Sequence, residues 1–286
     1  MTRRAAPHRI LAAALVAAVV VPSLVARPAA AAKKKKRTPE PTAVPRPTDP
    51  YRVTIETNDG VSLAASWRPV TQRPDAPAVL LLHDFSRERR DWEPLAPEFT
   101  ERGLATLAID LRAHGESTKK NGKPLPISPR QMNDPNGFPR DVEAACRWLR
   151  ERAPKLGAVG LSLGGSLTVL ASAAGLVDTA VVVSTNADRV SSLAGGRPTA
   201  ARGALFIASE QAPQRADSAR ALYASASEPK KLLLVPGAAH NLVLFAEHPE
   251  AKAAMFDWLA ARLGATRLPV PTPIPSPTPA PVPPRK

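Results

Sequence analysis

One short stretch has the residue types of a nucleophile site: Gly160, Leu161, Ser162, Leu163 and Gly164. It follows the apolar run "KLGAVGL" (155–161) and opens a segment of helical composition. Glycines two places to either side of a serine let the backbone bend where a side chain would strike its neighbours. A serine raised on such a strand-to-helix turn presents its hydroxyl. The helix N-terminus behind it offers free N–H groups and partial positive charge to a developing oxyanion. That arrangement suits acyl transfer once a general base is supplied. His240 supplies one, on a loop just past the apolar run "KKLLLVP" (230–236). An imidazole titrates near neutrality, so it can take a proton and return it. The other histidines are placed less well: His8 near the N-terminus, His83 after an early strand, His114 in a polar loop, and His248 at the start of the last helix.

These residues need a framework, and the chain of 286 residues can build one. Its net charge of +14 is uneven: residues 1–50 carry +8, residues 267–286 carry +3, and the long middle carries only +3. The basic excess belongs to the ends, so the middle is not read as a nucleic-acid binder. Residues 1–32 read as an export signal. Arg3, Arg4 and Arg9 precede an apolar run from Ile10 to Val21, and small residues suited to cleavage follow. An uncleaved membrane anchor is the alternative, disfavoured by Lys33 to Arg37 just beyond the run. Residues 33–50 are a basic, proline-rich linker. In residues 267–286, proline recurs at every second position from Pro269, a composition that favours an extended tail. Both ends suit contact with a cell envelope. Cys146 is the only cysteine, which excludes an internal disulfide. It shares a helical face with Val142, Ala145 and Leu149 and is expected in the core.

Between residues 51 and 266, strand and helix signals alternate. "YRVTIETNDG" and "SLAASW" predict an antiparallel pair turning at Asn58–Gly60. "PAVLLLH" (77–83) and "LATLAID" (104–110) are continuous apolar runs, as in strands covered on both faces. Trp92, Leu95, Ala96 and Phe99 predict a helix between them. A polar loop over 111–137 precedes the Cys146 helix. Strands follow at 155–161, 178–184, 203–209 and 230–236, with helices from about Gly164, at 217–226 and after Pro249. Asp217 is expected to cap its helix. This order predicts an α/β fold with a mostly parallel sheet and helices on both faces. Some 18 residues (186–203) separate two of the strands, too few for a large lid domain.

In this order "LLLHDF" (80–85), "IDLRAHGES" (109–117), "VGLSLGG" (159–165) and "LVPGAAH" (234–240) resemble the α/β-hydrolase family, near its small dienelactone-hydrolase-like branch. The resemblance covers residues 51–266. It implies an oxyanion hole made by the backbone N–H groups of Phe85 and Leu163. It puts Asp84 where the family has glycine, a position Asp tolerates because it adopts left-handed backbone angles better than most residues. Asp110, Arg112, His114 and Gly115 match a structural loop of the family. The triad acid is where the sequence departs. Ala212 stands where the family's carboxylate is expected, leaving Glu210 as the nearest substitute and Asp188 as the alternative acid. The function so implied is an exported, carboxylesterase-like serine hydrolase for small or varied acyl groups, acting without cofactor or metal. The alternative is a hydrolase-fold binding or envelope protein that has lost its chemistry.

Overall fold

The computed structural model describes residues 48–269. The export segment, the linker up to residue 47 and the tail from residue 270 lie outside the described residues. The strands are β1 (Arg52–Glu56), β2 (Val61–Arg68), β3 (Ala78–Leu82), β4 (Ala105–Ile109), β5 (Lys119–Lys120), β6 (Lys123–Pro124), β7 (Leu156–Leu161), β8 (Thr179–Val183), β9 (Arg202–Ser209) and β10 (Ser227–Val235). They form one sheet in the order β10-β9-β8-β7-β3-β4-β2-β5-β6, with β1 paired to β2. The six strands from β10 to β4 are parallel. β1 and β2 are antiparallel, from Arg52↔Ser66 to Glu56↔Ser62, as the Asn58–Gly60 turn predicts.

Every residue of β3, β7 and β8 is buried, which requires cover on both faces. Alternate side chains go opposite ways. Leu80 and Leu82 pack with Val142, Cys146 and Leu149 of helix α2 (Phe138–Arg150) and with Leu167 of α3 (Leu163–Ala173). Val79 and Leu81 pack with Phe99 of α1 (Ala96–Glu101) and with Met255, Phe256 and Leu259 of the last helix (Pro249–Leu263). Each large side chain so buried contributes about 1.5–3 kcal/mol before conformational entropy is subtracted. Cys146 lies in this core as its helical face predicts, and burial pushes its thiol up to about 12. An ionised sulfur there has little to solvate it.

The loop after β4 is held by buried ion pairs. Asp110 and Arg89, both with fully buried side chains, are bonded through an Arg89 Nη1–Asp110 Oδ2 contact of 2.5 Å, and Asp110 Oδ1 also accepts from the Arg89 N–H. Arg112 grips Asp59 with both ends of its guanidinium and donates from Nε and its backbone N–H to Asp141. Removing one partner from such a buried pair leaves an uncompensated charge, at about 3–5 kcal/mol. The loop is therefore a fixed part of the framework.

Several elements depart from the sequence-based expectation. The helix expected from Trp92 is split into a 3-10 turn (Arg89–Trp92) and the short α1. α4 (Ala187–Leu193) and a seven-residue helix at Asn241–Glu247 are additional. The polar loop contains the β5–β6 hairpin, turning through Asn121 and Gly122, both at positive φ. α5 (Pro213–Ser225) begins at Pro213, so Asp217 is inside the helix and does not cap it. Proline suits the first helical turn, where its missing N–H has no intrahelical partner. Asp217 instead pairs with Arg220 at 3.0 Å. With the helix at Asn241–Glu247 taken as α6, the last helix is α7.

The parallel strands place one location apart from the rest. From β3 the chain steps outward to β4 on one side, and from β7 it steps to β8, β9 and β10 on the other. The carboxyl ends of β3 and β7 flank this reversal, the position at which ligands bind in open α/β sheets.

Candidate active site

Ser162 sits at that reversal, at the join of β7 and α3. Its backbone is left-handed, φ 49° and ψ −103°, a conformation that costs an L-residue on the order of 1–3 kcal/mol. The surroundings impose it. The Ser162 N–H donates to the Val183 carbonyl at 2.9 Å. Its own carbonyl accepts from Thr185 Oγ1 at 2.9 Å and from the Ser166 N–H at 3.0 Å. Both flanking glycines are required by contact: a Cβ at Gly160 would lie under 3.0 Å from the Gly164 carbonyl. One at Gly164 would lie equally close to the carbonyls of Leu82 and His83. Ser162 is half-buried, and its hydroxyl has no hydrogen bond among the described residues.

The turn after β3 faces it. His83 is fully buried and locked: Nδ1 donates to the Asp84 carbonyl at 2.6 Å, and Nε2 accepts from the Leu111 N–H at 3.0 Å. Burial holds its imidazole down at about 4, against the pull of the Asp84 carbonyl. A ring neutral and bonded at both nitrogens is a brace. Phe85, the next residue but one, packs edge-on against buried His114. The N–H groups of Phe85 and Leu163, expected to form the oxyanion hole, converge on a single atom, Asp84 Oδ1, at 2.7 and 3.3 Å. Asp84 is not among the positive-φ residues; Ser86 is, at φ 62°. The backbone reason expected for Asp84 is thus corrected: its side chain is what distinguishes this position.

His240 comes from the loop after β10. β10 leads through Gly237 (φ 83°) to His240, the residue before α6. Three bonds fix this approach to the end of β9: the Glu210 N–H to the Val235 carbonyl, the Gln211 N–H to the Gly237 carbonyl, and the Ser209 hydroxyl to the Ala239 carbonyl. Asn241 then reaches back, its Nδ2 donating to Asp84 Oδ2 at 2.9 Å. So the structure ties the segment carrying His240 to the turn after β3. The imidazole itself is exposed and, among the described residues, makes no hydrogen bond. Glu210 is exposed at the end of β9 and Asp188 is exposed in the first turn of α4; neither bonds His240. Among the described residues, no group of three or more His, Cys, Asp or Glu could hold a metal ion.

Sequence reasoning missed Thr185, Ser209 and Asn241. Only Asn241 carried a signal, since Asn is a residue that tolerates the left-handed backbone (φ 55°) found there.

Residues 79–284, more than half of the chain, match the alpha/beta hydrolase family. The chain belongs to this family. A curated relative from Salmonella heidelberg, a 2-succinyl-6-hydroxy-2,4-cyclohexadiene-1-carboxylate synthase, is 33% identical over 106 residues. That match takes in 36% of this chain and 36% of the synthase, so the chain spans about a third of the length of the curated relatives it matches. Among solved structures, the alpha/beta hydrolase GrgF from a Penicillium species superposes with TM-score 0.59 at 18% identity, over 74% of this chain and 98% of its own. A dienelactone hydrolase from Anabaena variabilis gives 0.58 at 19%, over 74% and 97%. An esterase from Pyrococcus furiosus gives 0.55 at 18%, over 74% and 92%. At such identities these structures share the fold. A shared fold does not fix the reaction, so the reaction has to be argued from the site.

Proposed function

We propose that this family member is a serine hydrolase that cleaves carboxylic esters of small or varied acyl groups. Ser162 Oγ attacks the acyl carbonyl while His240 takes its proton. The alcohol leaves with that proton, and water, deprotonated in turn by His240, releases the acid and restores Ser162. The Phe85 and Leu163 N–H groups hold the oxyanion in both steps. What supports the reading is one observation: two backbone donors from separate segments converge on one oxygen, next to a serine on a left-handed turn. The test is a fluorophosphonate probe, which labels an activated serine, with the adduct mapped by mass spectrometry. Label on the peptide containing Ser162 is the expected result. A folded protein that takes none and hydrolyses no short p-nitrophenyl ester gives the second reading, a hydrolase-fold binding or envelope protein. The exposed His240, which bonds neither Glu210 nor Asp188, is the observation that favours this second reading.

Of the two candidate acids, Glu210 is the better placed. Its N–H is bonded to Val235, at the foot of the segment that carries His240; Asp188 points from α4. Loss of a triad acid can lower turnover by about 10⁴ through misorientation of the imidazole. Glu210→Gln is therefore expected to lower kcat at least about tenfold, and Asp188→Asn to leave it unchanged. Unchanged kcat in both variants assigns the chemistry to Ser162 and His240 alone.

We further propose that residues 1–32 direct export and are removed, and that the basic and proline-rich ends meet the envelope. A mature chain beginning near residue 33 is the expected result of N-terminal sequencing. A chain retaining the apolar run indicates a membrane anchor. Among the described residues no helix is long and apolar enough to cross a membrane.

A further inference from the structure

The position that the family resemblance gives to glycine holds a carboxylate here, and that carboxylate is turned inward. Asp84 Oδ1 accepts from the Phe85 and Leu163 N–H groups, and Oδ2 accepts from Asn241 Nδ2. Three donors from three segments, the turn after β3, the head of α3 and the head of α6, close on one side chain. Two of them are the donors that an acyl oxyanion needs. A carboxylate oxygen matches that oxyanion in size and sign of charge, so the pair cannot serve both at once. The third donor is aimed with similar specificity: Asn241 Oδ1 is buried without a partner, and its amide is oriented solely by Asp84.

We propose that Asp84 is an internal occupant of the oxyanion pocket, latched by Asn241, and that it must swing out before an acyl substrate can dock. This rests on the reading of Ser162 as the nucleophile. A site that is competent only in a fraction of molecules binds every ligand more weakly by that fraction. A saturating substrate draws all molecules into the open form. The occupant therefore raises KM and leaves kcat nearly untouched. It weakens an oxyanion mimic by the same factor.

The test compares the full-length protein with Asp84→Ala, Asp84→Asn, Asn241→Gly and the double variant Asp84→Ala/Asn241→Gly. The readouts are KM and kcat for p-nitrophenyl acetate and the inhibition constant of butylboronic acid. The boronic acid accepts Ser162 Oγ as a fourth ligand to boron, passes the serine proton to His240, and presents an anionic tetrahedral centre to the pocket. In Asp84→Ala, KM and the inhibition constant are expected to fall together by about 10- to 100-fold, as for an open form populated at about 1–10% in the original protein, with kcat within about threefold. Asn241→Gly keeps the left-handed backbone and loses only the latch, so both constants fall in the same direction by less. The double variant falls no further than Asp84→Ala, because the two side chains act as one unit. Asp84→Asn refills the pocket with a neutral oxygen, the Asn241 amide turned over to accept, and both constants fall less than in Asp84→Ala, because only the charge-assisted part of the bonding is lost. If Asp84→Ala lowers neither constant while turnover still depends on Ser162, the occupant is overturned and the hydrolase reading stands. If neither the parent protein nor Asp84→Ala shows turnover or label dependent on Ser162, both fall.

Discussion

Ser162→Ala is expected to lower kcat for short p-nitrophenyl esters by at least about 10⁴-fold and to abolish fluorophosphonate labelling. Loss of the serine in a comparable triad costs about 10⁶ in turnover, the remainder coming from the oxyanion hole and binding. The fold is expected to be indifferent. The Ser162 hydroxyl makes no hydrogen bond among the described residues, and the bonds that fix the turn run through backbone N–H and carbonyl groups. Alanine also meets the left-handed backbone much as serine does. The thermal midpoint should stay within about 2 °C, as for a substitution that removes no packing. Full turnover in this variant would show that another group is the nucleophile, and a large drop in midpoint would make the lost activity uninformative.

The second large effect concerns Gly164→Ala, a change of one methyl group. The added Cβ would lie under 3.0 Å from the carbonyl oxygens of Leu82 and His83, which are backbone at the end of β3. A flexible side chain could move aside; this strand cannot, because β3 pairs with β4 and β7 on its two edges. Overpacking of this kind costs about 1–3 kcal/mol and more where the surroundings are rigid. A loss of about 3 kcal/mol or greater is expected, read as a fall of about 6–12 °C in Tm. Gly122→Ala is the control, since nothing lies within 4 Å of a Cβ there and only its positive φ of 75° opposes the change. Its cost is about 1–2 kcal/mol. Equal shifts for the two variants would mean that the β3–α3 approach is not the constraint described.

The buried strands and the turn at Ser162 could be read before any coordinates, because their causes are local. Runs such as "AVLLL" and "TAVVV" announce strands covered on both faces, and glycine spacing announces a bend that tolerates no side chain. The Asp110 and Arg112 loop is legible as framework only through the family resemblance, because the partners that fix it, Arg89, Asp59 and Asp141, lie elsewhere in the chain. Short helices were less legible. α4 is capped by Asn186, whose side chain accepts from the Arg189 N–H, a signal overlooked because only seven residues follow it. Pro213 marks the true start of α5, yet Asp217 was the more conspicuous capping residue. The Asn121–Gly122 turn is a hairpin signal, but the strands it joins are two residues each and do not stand out from a polar loop. Asp84 is a different case. Its neighbours suggested a backbone role, whereas its side chain answers to Asn241 and Leu163, partners that no local pattern connects to it.

That long-range bond has a consequence for timing. The Asp84 and Asn241 side chains meet across 157 positions of sequence. At a synthesis rate of about 5–20 residues per second, residue 241 follows residue 84 out of the ribosome by roughly 8 to 30 s. Throughout that interval the nascent chain holds the turn after β3 without the segment that carries His240 and Asn241, so the Asp84 side chain waits for its partner until that segment emerges.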